Sequence, residues 1–254
     1  MNWFPYPEKD HAMRSASNWL QLSFATSIAG LLAWHSPAQE KSVKPGINDQ
    51  FRKPEVAKFV ERFEGESREV FDKRAEVLKA LDLKPGMAVA DVGAGTGLYT
   101  RLIAKAVGQQ GKVLAVDIAQ EFLDHIGKTA AEQKIGNIQV ILGKDASTGL
   151  PPASVDLVFI CDTYHHFEFP SRILESIHQA LKPGGRLVIV DFIREPGVSR
   201  EWILGHVRAS QAVVEREVTQ GGFRKNSEIK DIMKENYLVT FTKIADARKP
   251  EGSR

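Results

Sequence analysis

Residues 87–97 read Met87-Ala88-Val89-Ala90-Asp91-Val92-Gly93-Ala94-Gly95-Thr96-Gly97: a short apolar run, an acid near its end, and three glycines at alternate positions. Met87 to Val92 has the composition and length of a buried strand. The glycines permit positive φ and let a ligand approach the backbone closely. A helical pattern begins near Leu98, and the first N–H groups of such a helix have no intrahelical partner. Strand, glycine turn and helix in direct succession open an α/β unit. In an open parallel sheet, ligands sit at the carboxyl ends of the strands, where this turn lies.

Working outward, β-prone apolar runs recur at 112–117, 138–142, 155–160 and 186–192, with helical stretches near 98–107, 120–134 and 170–181 between them. Near-continuous apolar strands alternating with helices predict a mostly parallel sheet covered on both faces. Towards the N-terminus, Val56, Phe59, Val60 and Phe63 fall at helical spacing, and Val70, Phe71, Val77, Leu78 and Leu81 continue it. These spacings predict two amphipathic helices separated at Gly65, the second ending at Lys84-Pro85-Gly86. Towards the C-terminus, one long helix is predicted from about Ser199 to Gln220, ended by Gly221-Gly222. Two strand-like runs follow near 223–229 and 237–244.

The chain of 254 residues has room for one large α/β domain with appendages. A formal net charge of +2 gives no electrostatic footprint of a nucleic-acid groove. A single cysteine, Cys161, excludes an internal disulfide framework and a cysteine-based zinc site. Leu20 to Trp34 is apolar and uncharged, with Arg14 before it and Ser36-Pro37-Ala38 after it. That order matches the three regions of a secretory signal, and the run is shorter than the roughly 20 residues of a comfortable bilayer span. Residues 1–38 are therefore read as a signal peptide or N-terminal extension, with export as the favoured location and the cytoplasm as the alternative. No stable membrane span is expected in the mature chain. Residues 39–52 read as a polar linker with Pro45-Gly46, and 53–250 as the domain.

The glycine turn by itself admits two cofactor classes. The dinucleotide fingerprint is G-x-G-x-x-G, whereas here the third glycine comes one position early and Leu98 stands at the sixth. Asp91, two residues before the first glycine, could receive the amino group of a cationic cofactor. The wording Asp91-Val92-Gly93-Ala94-Gly95-Thr96-Gly97 resembles the first motif of the class I S-adenosylmethionine-dependent methyltransferases. Asp117 ends the second strand about 20 residues on, where a carboxylate can accept from both ribose hydroxyls. Later segments resemble the same family in the same order: Gly143-Lys144-Asp145-Ala146, Leu150-Pro151, the stretch Asp162 to Phe167 with its His165-His166 pair, and Leu181-Lys182-Pro183-Gly184-Gly185. The resemblance covers roughly residues 66–244. It implies a Rossmann-like doubly wound seven-stranded sheet of order 3-2-1-4-5-7-6, with the last strand antiparallel and helices at the N-terminal side. It also implies S-adenosylmethionine as cofactor, held by Asp91, Gly93, Ala94, Gly95, Gly97, Asp117, Ile118, Asp145, Ala146 and Asp162. The adenine amino group would fall to Asp145, unless that residue only shapes its turn.

Asp162, Tyr164, His165, His166 and Glu168 form the densest polar cluster of the chain. The resemblance places it at the methyl-donating end of the cofactor. His165, His166 and Tyr164 are the candidate catalytic residues, with a histidine as general base for an acceptor's proton. Packing against the cofactor and metal ligation are the other readings, and no metal is assigned. The position after the fourth strand lacks the Asp/Asn-Pro-Pro-aromatic tetrapeptide of enzymes that methylate amino groups of DNA bases or glutamine. The expected acceptor is a small molecule of the quinone or another apolar-ring type, with no nucleic acid as partner. The predicted helix ending at Gln220 should cover the pocket mouth with His206, Arg208, Gln211 and Glu215, and Arg208 could grip an anionic acceptor. A nicotinamide oxidoreductase and a non-catalytic cofactor-binding protein remain as alternatives, and the sequence leaves the oligomeric state open.

Overall fold

A computed structural model describes residue 39 and residues 41–65 and 68–245. The stretch read as a signal peptide, 1–38, lies outside the described residues, as do the last positions of the expected domain. Among the described residues, no helix is long and apolar enough to cross a membrane.

Seven strands form one sheet: β1 (Ala88–Val92), β2 (Lys112–Asp117), β3 (Ile138–Leu142), β4 (Val155–Cys161), β5 (Leu181–Phe192), β6 (Phe223–Ile229) and β7 (Asn236–Lys243). Their order is β3-β2-β1-β4-β5-β7-β6, as the resemblance implied. The first five pair in parallel, and β7 runs antiparallel to both β5 and β6. The order reverses between β1 and β4, and that switch opens a crevice at the carboxyl ends of the strands.

Strand periodicity assigns the two faces of the sheet. Ala88, Ala90 and Val92 of β1 join Val158, Ile160, Leu187 and Ile189 under helices α6 (Pro170–Ala180) and α8 (Gln211–Gln220), which contribute Ile173, Leu174, Ile177, Val214 and Val218. Val89 points the other way, with Leu157, Phe159, Val188 and Val190, towards α3 (Arg74–Ala80) and α4 (Leu98–Val107). Helix α5 (Gln120–Glu132) seats Leu123 and Ile126 against Ala115 of β2. Fully buried side chains such as Ile103, Ile126 and Leu174 each stabilise the fold by roughly 1.5–3 kcal/mol. Asp91 shares the parity of Val89, and its carboxylate accordingly meets α4.

Three boundaries differ from expectation. The N-terminal helical region is three pieces, α1 (Val56–Phe63), α2 (Glu69–Asp72) and α3, instead of two helices. Strand β5 begins at Leu181, because Leu181 pairs with Val155 ahead of a register shift, so the Lys-Pro-Gly-Gly segment lies within the strand. The single helix expected over 199–220 is broken into α7 (Glu201–His206) and α8, with Val207–Ser210 extended between them. The break is held by distant cations. Lys44 Nζ donates to the carbonyls of Gly205 and His206, and Arg194 donates to those of Leu204 and Val207. Basic groups satisfying the last carbonyls stabilise a helix end, while Val207 and Ala209 are buried in the extended link.

Candidate active site

The turn after β1 is built by its glycines. Gly93, Gly95 and Gly97 all have positive φ. A Cβ on Gly93 would lie 2.1 Å from Cγ2 of Thr163, and one on Gly97 2.7 Å from Cγ1 of Ile126. Gly93 therefore packs directly on the loop after β4 and Gly97 on α5, with no room for a side chain at either. The N–H groups of Gly93 and Ala94 donate to the carbonyl of Val116 (2.8 and 3.0 Å), and that of Gly95 donates to Asp117 Oδ2 (2.8 Å). From above, Arg101 donates to the Thr96 carbonyl and forks onto Glu64 at 2.9 and 2.8 Å, drawing the end of α1 over the turn.

This turn forms one wall of an open cleft of about 1360 Å³, solvent at its mouth included. Asp91, Gly93, Ala94, Gly95, Asp117, Ile118, Asp145, Asp162, His165 and His166 all line it. Gly97, Ala146 and Tyr164 do not line it. Gly97 starts α4 in a left-handed conformation. Tyr164 is fully buried and donates its hydroxyl to Glu217 Oε2 at 2.9 Å, turned into the core beneath α8.

Asp91 and Asp117 dominate the electrostatics of the turn. Both are buried, and among the described residues neither has an ion-pair partner. Asp91 accepts from the Thr100 hydroxyl at 2.6 Å. Burial pushes its carboxyl up to about 6; the Thr100 bond opposes the shift and the Asp117 charge adds to it. Burial also raises Asp117, against the N–H donors of Ala119, Gly95 and Ile118. Two buried carboxylates without a counter-cation on a cleft wall make an electrostatic demand for a ligand bearing positive charge and hydrogen-bond donors.

The other two expected cofactor acids are differently placed. Asp162 takes a left-handed φ of 47° and is already satisfied: Arg68 pairs with Oδ2, and Asn236 Nδ2 donates to Oδ1 at 2.6 Å. Burial raises its carboxyl to about 6, with Arg68 opposing. Asp145 accepts from Arg52 at 3.3 and 3.2 Å. Arg52 belongs to the segment read as a linker, and that segment forms part of the cleft. Asn48 is buried and donates to the His166 carbonyl at 3.1 Å, and the Phe51 ring meets His166 edge-on at 4.8 Å.

At the opposite end, His165 is buried between β5 and α7. Its Nδ1 lies 2.6 Å from Asp191 Oδ1, and Asp191 Oδ2 accepts from the His165 backbone N–H at 2.9 Å. His166 Nε2 lies 3.3 Å from His206 Nε2. Burial drives His166 down to about 2, with the neighbouring His165, His206 and Lys44 acting in the same direction, and drives His206 down to about 4. Both are neutral imidazoles at neutral pH. Phe192 and Trp202 add an apolar flank beside these rings.

Arg208, expected to face the acceptor, instead forks onto Glu217 at 3.0 and 2.9 Å beneath the Tyr164 ring and does not line the cleft. Gln211 and Glu215 bond to each other, and Glu215 also accepts from Lys225. Of the four cap residues expected at the mouth, His206 alone lines the cleft. Sequence reasoning missed Asp191, although it ends a strand as Asp91 and Asp117 do. It also missed Arg52 and Arg68, whose role depends on contacts far away in the chain.

Residues 90–189 match a family described as a methyltransferase domain. The nocamycin O-methyltransferase of Saccharothrix syringae is 31% identical over 137 residues, 54% of this chain and 49% of that protein. The ubiquinone/menaquinone biosynthesis C-methyltransferase of Hydrogenovibrio crunogenus is 32% identical over 112 residues, 43% of this chain and 44% of that protein. The chain thus spans about half the length of the curated relatives it matches. A solved S-adenosylmethionine-dependent methyltransferase from Aquifex aeolicus shares 28% identity at a TM-score of 0.66, covering 76% of this chain and 100% of that one.

Proposed function

The chain belongs to the class I S-adenosylmethionine-dependent methyltransferases, and on that premise we propose that it transfers a methyl group from S-adenosylmethionine to a small-molecule acceptor. The observation that carries this reading is the pair of buried carboxylates, Asp91 and Asp117, which have no counter-cation among the described residues and flank a glycine turn on the wall of an open cleft. The residues suit the cofactor: Asp91 would meet its ammonium group, Asp117 its ribose hydroxyls, and Ala94 and Ile118 its apolar surfaces. Asp145 would reach the adenine only together with Arg52, which already holds it. Asp162 orients Arg68 instead of contacting the cofactor directly, and Arg68 then offers a cation to a carboxylate.

When bound, S-adenosylmethionine supplies an electrophilic methyl on a cationic sulfur, so the protein's task is chiefly alignment. His165 is held by Asp191 through Nδ1, which leaves Nε2 as the nitrogen able to accept a proton. The Phe51, Phe192 and Trp202 rings favour an acceptor with an apolar ring. The two curated relatives named above carry different acceptor atoms in their names, oxygen and carbon, and the apolar flank of this cleft is compatible with either.

The test is incubation of the full chain with S-adenosylmethionine and a fractionated metabolite extract, read by release of S-adenosylhomocysteine. Release should depend on the extract and fall in the Asp117→Asn variant. Tight NADH binding with no S-adenosylhomocysteine binding by calorimetry would sink the proposal.

A further inference from the structure

Methyl transfer as proposed needs one oriented base at most, yet the acceptor end of the cleft gathers three histidines. His165, His166 and His206 each offer one ring nitrogen, and the three lie within 4.8 Å of one another. His206 arrives from α7, 40 positions after His166, and its backbone is fixed because Lys44 Nζ donates to the His206 carbonyl at 2.7 Å. All three rings line the cleft, and they contact one another at centroid separations of 4.3, 5.1 and 5.0 Å.

The arrangement has the chemistry of a metal site. A zinc ion with Zn–N bonds of about 2.0–2.1 Å in tetrahedral geometry sets its nitrogen ligands about 3.4 Å apart. His166 Nε2 and His206 Nε2 already stand 3.3 Å apart. Closing the third nitrogen to the same spacing takes a shift on the order of 1.5 Å, within reach of a ring adjusting its side-chain torsions. His165 has the support typical of a ligand: its Nδ1 faces the buried Asp191 carboxylate at 2.6 Å, which fixes the tautomer and turns the Nε2 lone pair outward. Asp191 is itself oriented by the backbone N–H groups of His165 and Phe192. The Nδ1 of His166 is buried with no hydrogen-bond partner, so no competing bond there fixes which of its nitrogens carries the proton.

We propose that His165, His166 and His206 bind a divalent first-row transition ion, with Zn²⁺ the best match, and with Asp191 positioning His165. Three imidazole ligands leave a fourth position, which faces the cleft. Sites of three protein ligands with one open position are characteristic of reactive metals, whereas structural sites are closed by four. An ion there would take the His165 Nε2 lone pair in place of a proton, and would activate an acceptor by binding its hydroxyl or enol oxygen instead. That last consequence rests on the methyl-transfer reading; the metal site itself does not.

The test uses the full chain stripped with a chelator and titrated with Zn²⁺ by calorimetry and with Co²⁺ by visible absorption. One ion per chain is expected, and Co²⁺ should give the intense visible bands of a four-coordinate site. His206→Gln should weaken binding at least tenfold, as should His166→Gln. Asp191→Asn should weaken it by about 10–100-fold, the range for outer-shell partners of metal-bound histidine. Circular dichroism and thermal melts establish that each variant is folded; if Asp191→Asn is not, the two surface-nearer histidine variants decide. No binding, or binding unchanged in a His166→Gln/His206→Gln double variant, overturns the proposal. S-adenosylhomocysteine titration of the metal-free protein runs in parallel. Retained cofactor binding without metal binding removes the metal site alone, and the converse result removes the methyl-transfer reading alone.

Discussion

Replacing Asp91 with asparagine should remove most of the pH dependence of cofactor binding and raise the stability of the free protein at neutral pH. Asp91 is 3% exposed and has the Thr100 hydroxyl as its bonded partner. Burial lifts its carboxyl to about 6, the Thr100 bond opposes the shift, and the Asp117 charge adds to it. A group half-ionised near pH 6 is about one-tenth ionised at pH 5 and almost wholly ionised at pH 7.5. If the cofactor's ammonium group pairs only with the ionised form, affinity should fall about tenfold between pH 7.5 and 5, equivalent to about 1.4 kcal/mol. Calorimetric titration with S-adenosylhomocysteine across that range measures it. Asp91→Asn should bind more weakly at pH 7.5 and lose at least half of the slope.

The free protein carries the opposite sign. A carboxyl whose folded value lies above its unfolded value of about 3.9 contributes stability that is complete below about pH 4 and is lost as pH rises through 6. For Asp91 that loss is on the order of 3 kcal/mol by pH 8. Without ligand, Asp91→Asn should therefore melt higher than wild type at pH 8, with the difference shrinking towards pH 4. An Asp91→Asn variant that keeps the full tenfold change in affinity, or melts lower at pH 8 than at pH 4 relative to wild type, would falsify the role given to this carboxylate.

Two other substitutions separate the cleft from its scaffold. Gly93→Ala forces a side chain into a positive-φ position 2.1 Å from Thr163; it should cost about 1–3 kcal/mol or more and weaken cofactor binding. A variant with unchanged melting temperature and affinity would show that the turn does not pack on the loop after β4. Tyr164→Phe removes one hydroxyl bond to Glu217, which is worth about 1 kcal/mol, or roughly 2–4 °C in melting temperature for a chain of this size. Turnover should stay within about twofold; a collapse of turnover in a folded Tyr164→Phe would return the residue to the catalytic set.

The two helix errors and the misread acids have a common origin. The apolar period from Ser199 to Gln220 is real on both halves, but it carries no mark that Lys44 and Arg194 will cap α7 at His206 and free Val207–Ser210 to extend. Likewise the polar composition of residues 39–52 is that of a linker, and nothing local states that Asn48 will bond the His166 carbonyl or that Arg52 will hold Asp145. Arg208 and Glu217 also show the limit of composition: a helix-side arginine near a pocket reads as a ligand clamp until its fork onto a neighbouring glutamate is seen.

The parallel strands and the glycine turn were legible in the sequence, because their causes are local, whereas the strand order was implied by the family resemblance. Strand propensity, the alternation of strands and helices, and the need for positive φ at Gly93, Gly95 and Gly97 act over a few consecutive residues. Asp91 and Asp117 belong to the same class, since each ends its own strand beside the switch in strand order. What the tertiary structure decided was the opposite end of the cleft. His165 meets Asp191 across 26 positions, His166 meets His206 across 40, and Arg68 meets Asp162 across 94. Those encounters depend on how β5, α7 and the N-terminal helices pack, and packing is set by summed burial over the whole domain, which no short window of sequence contains.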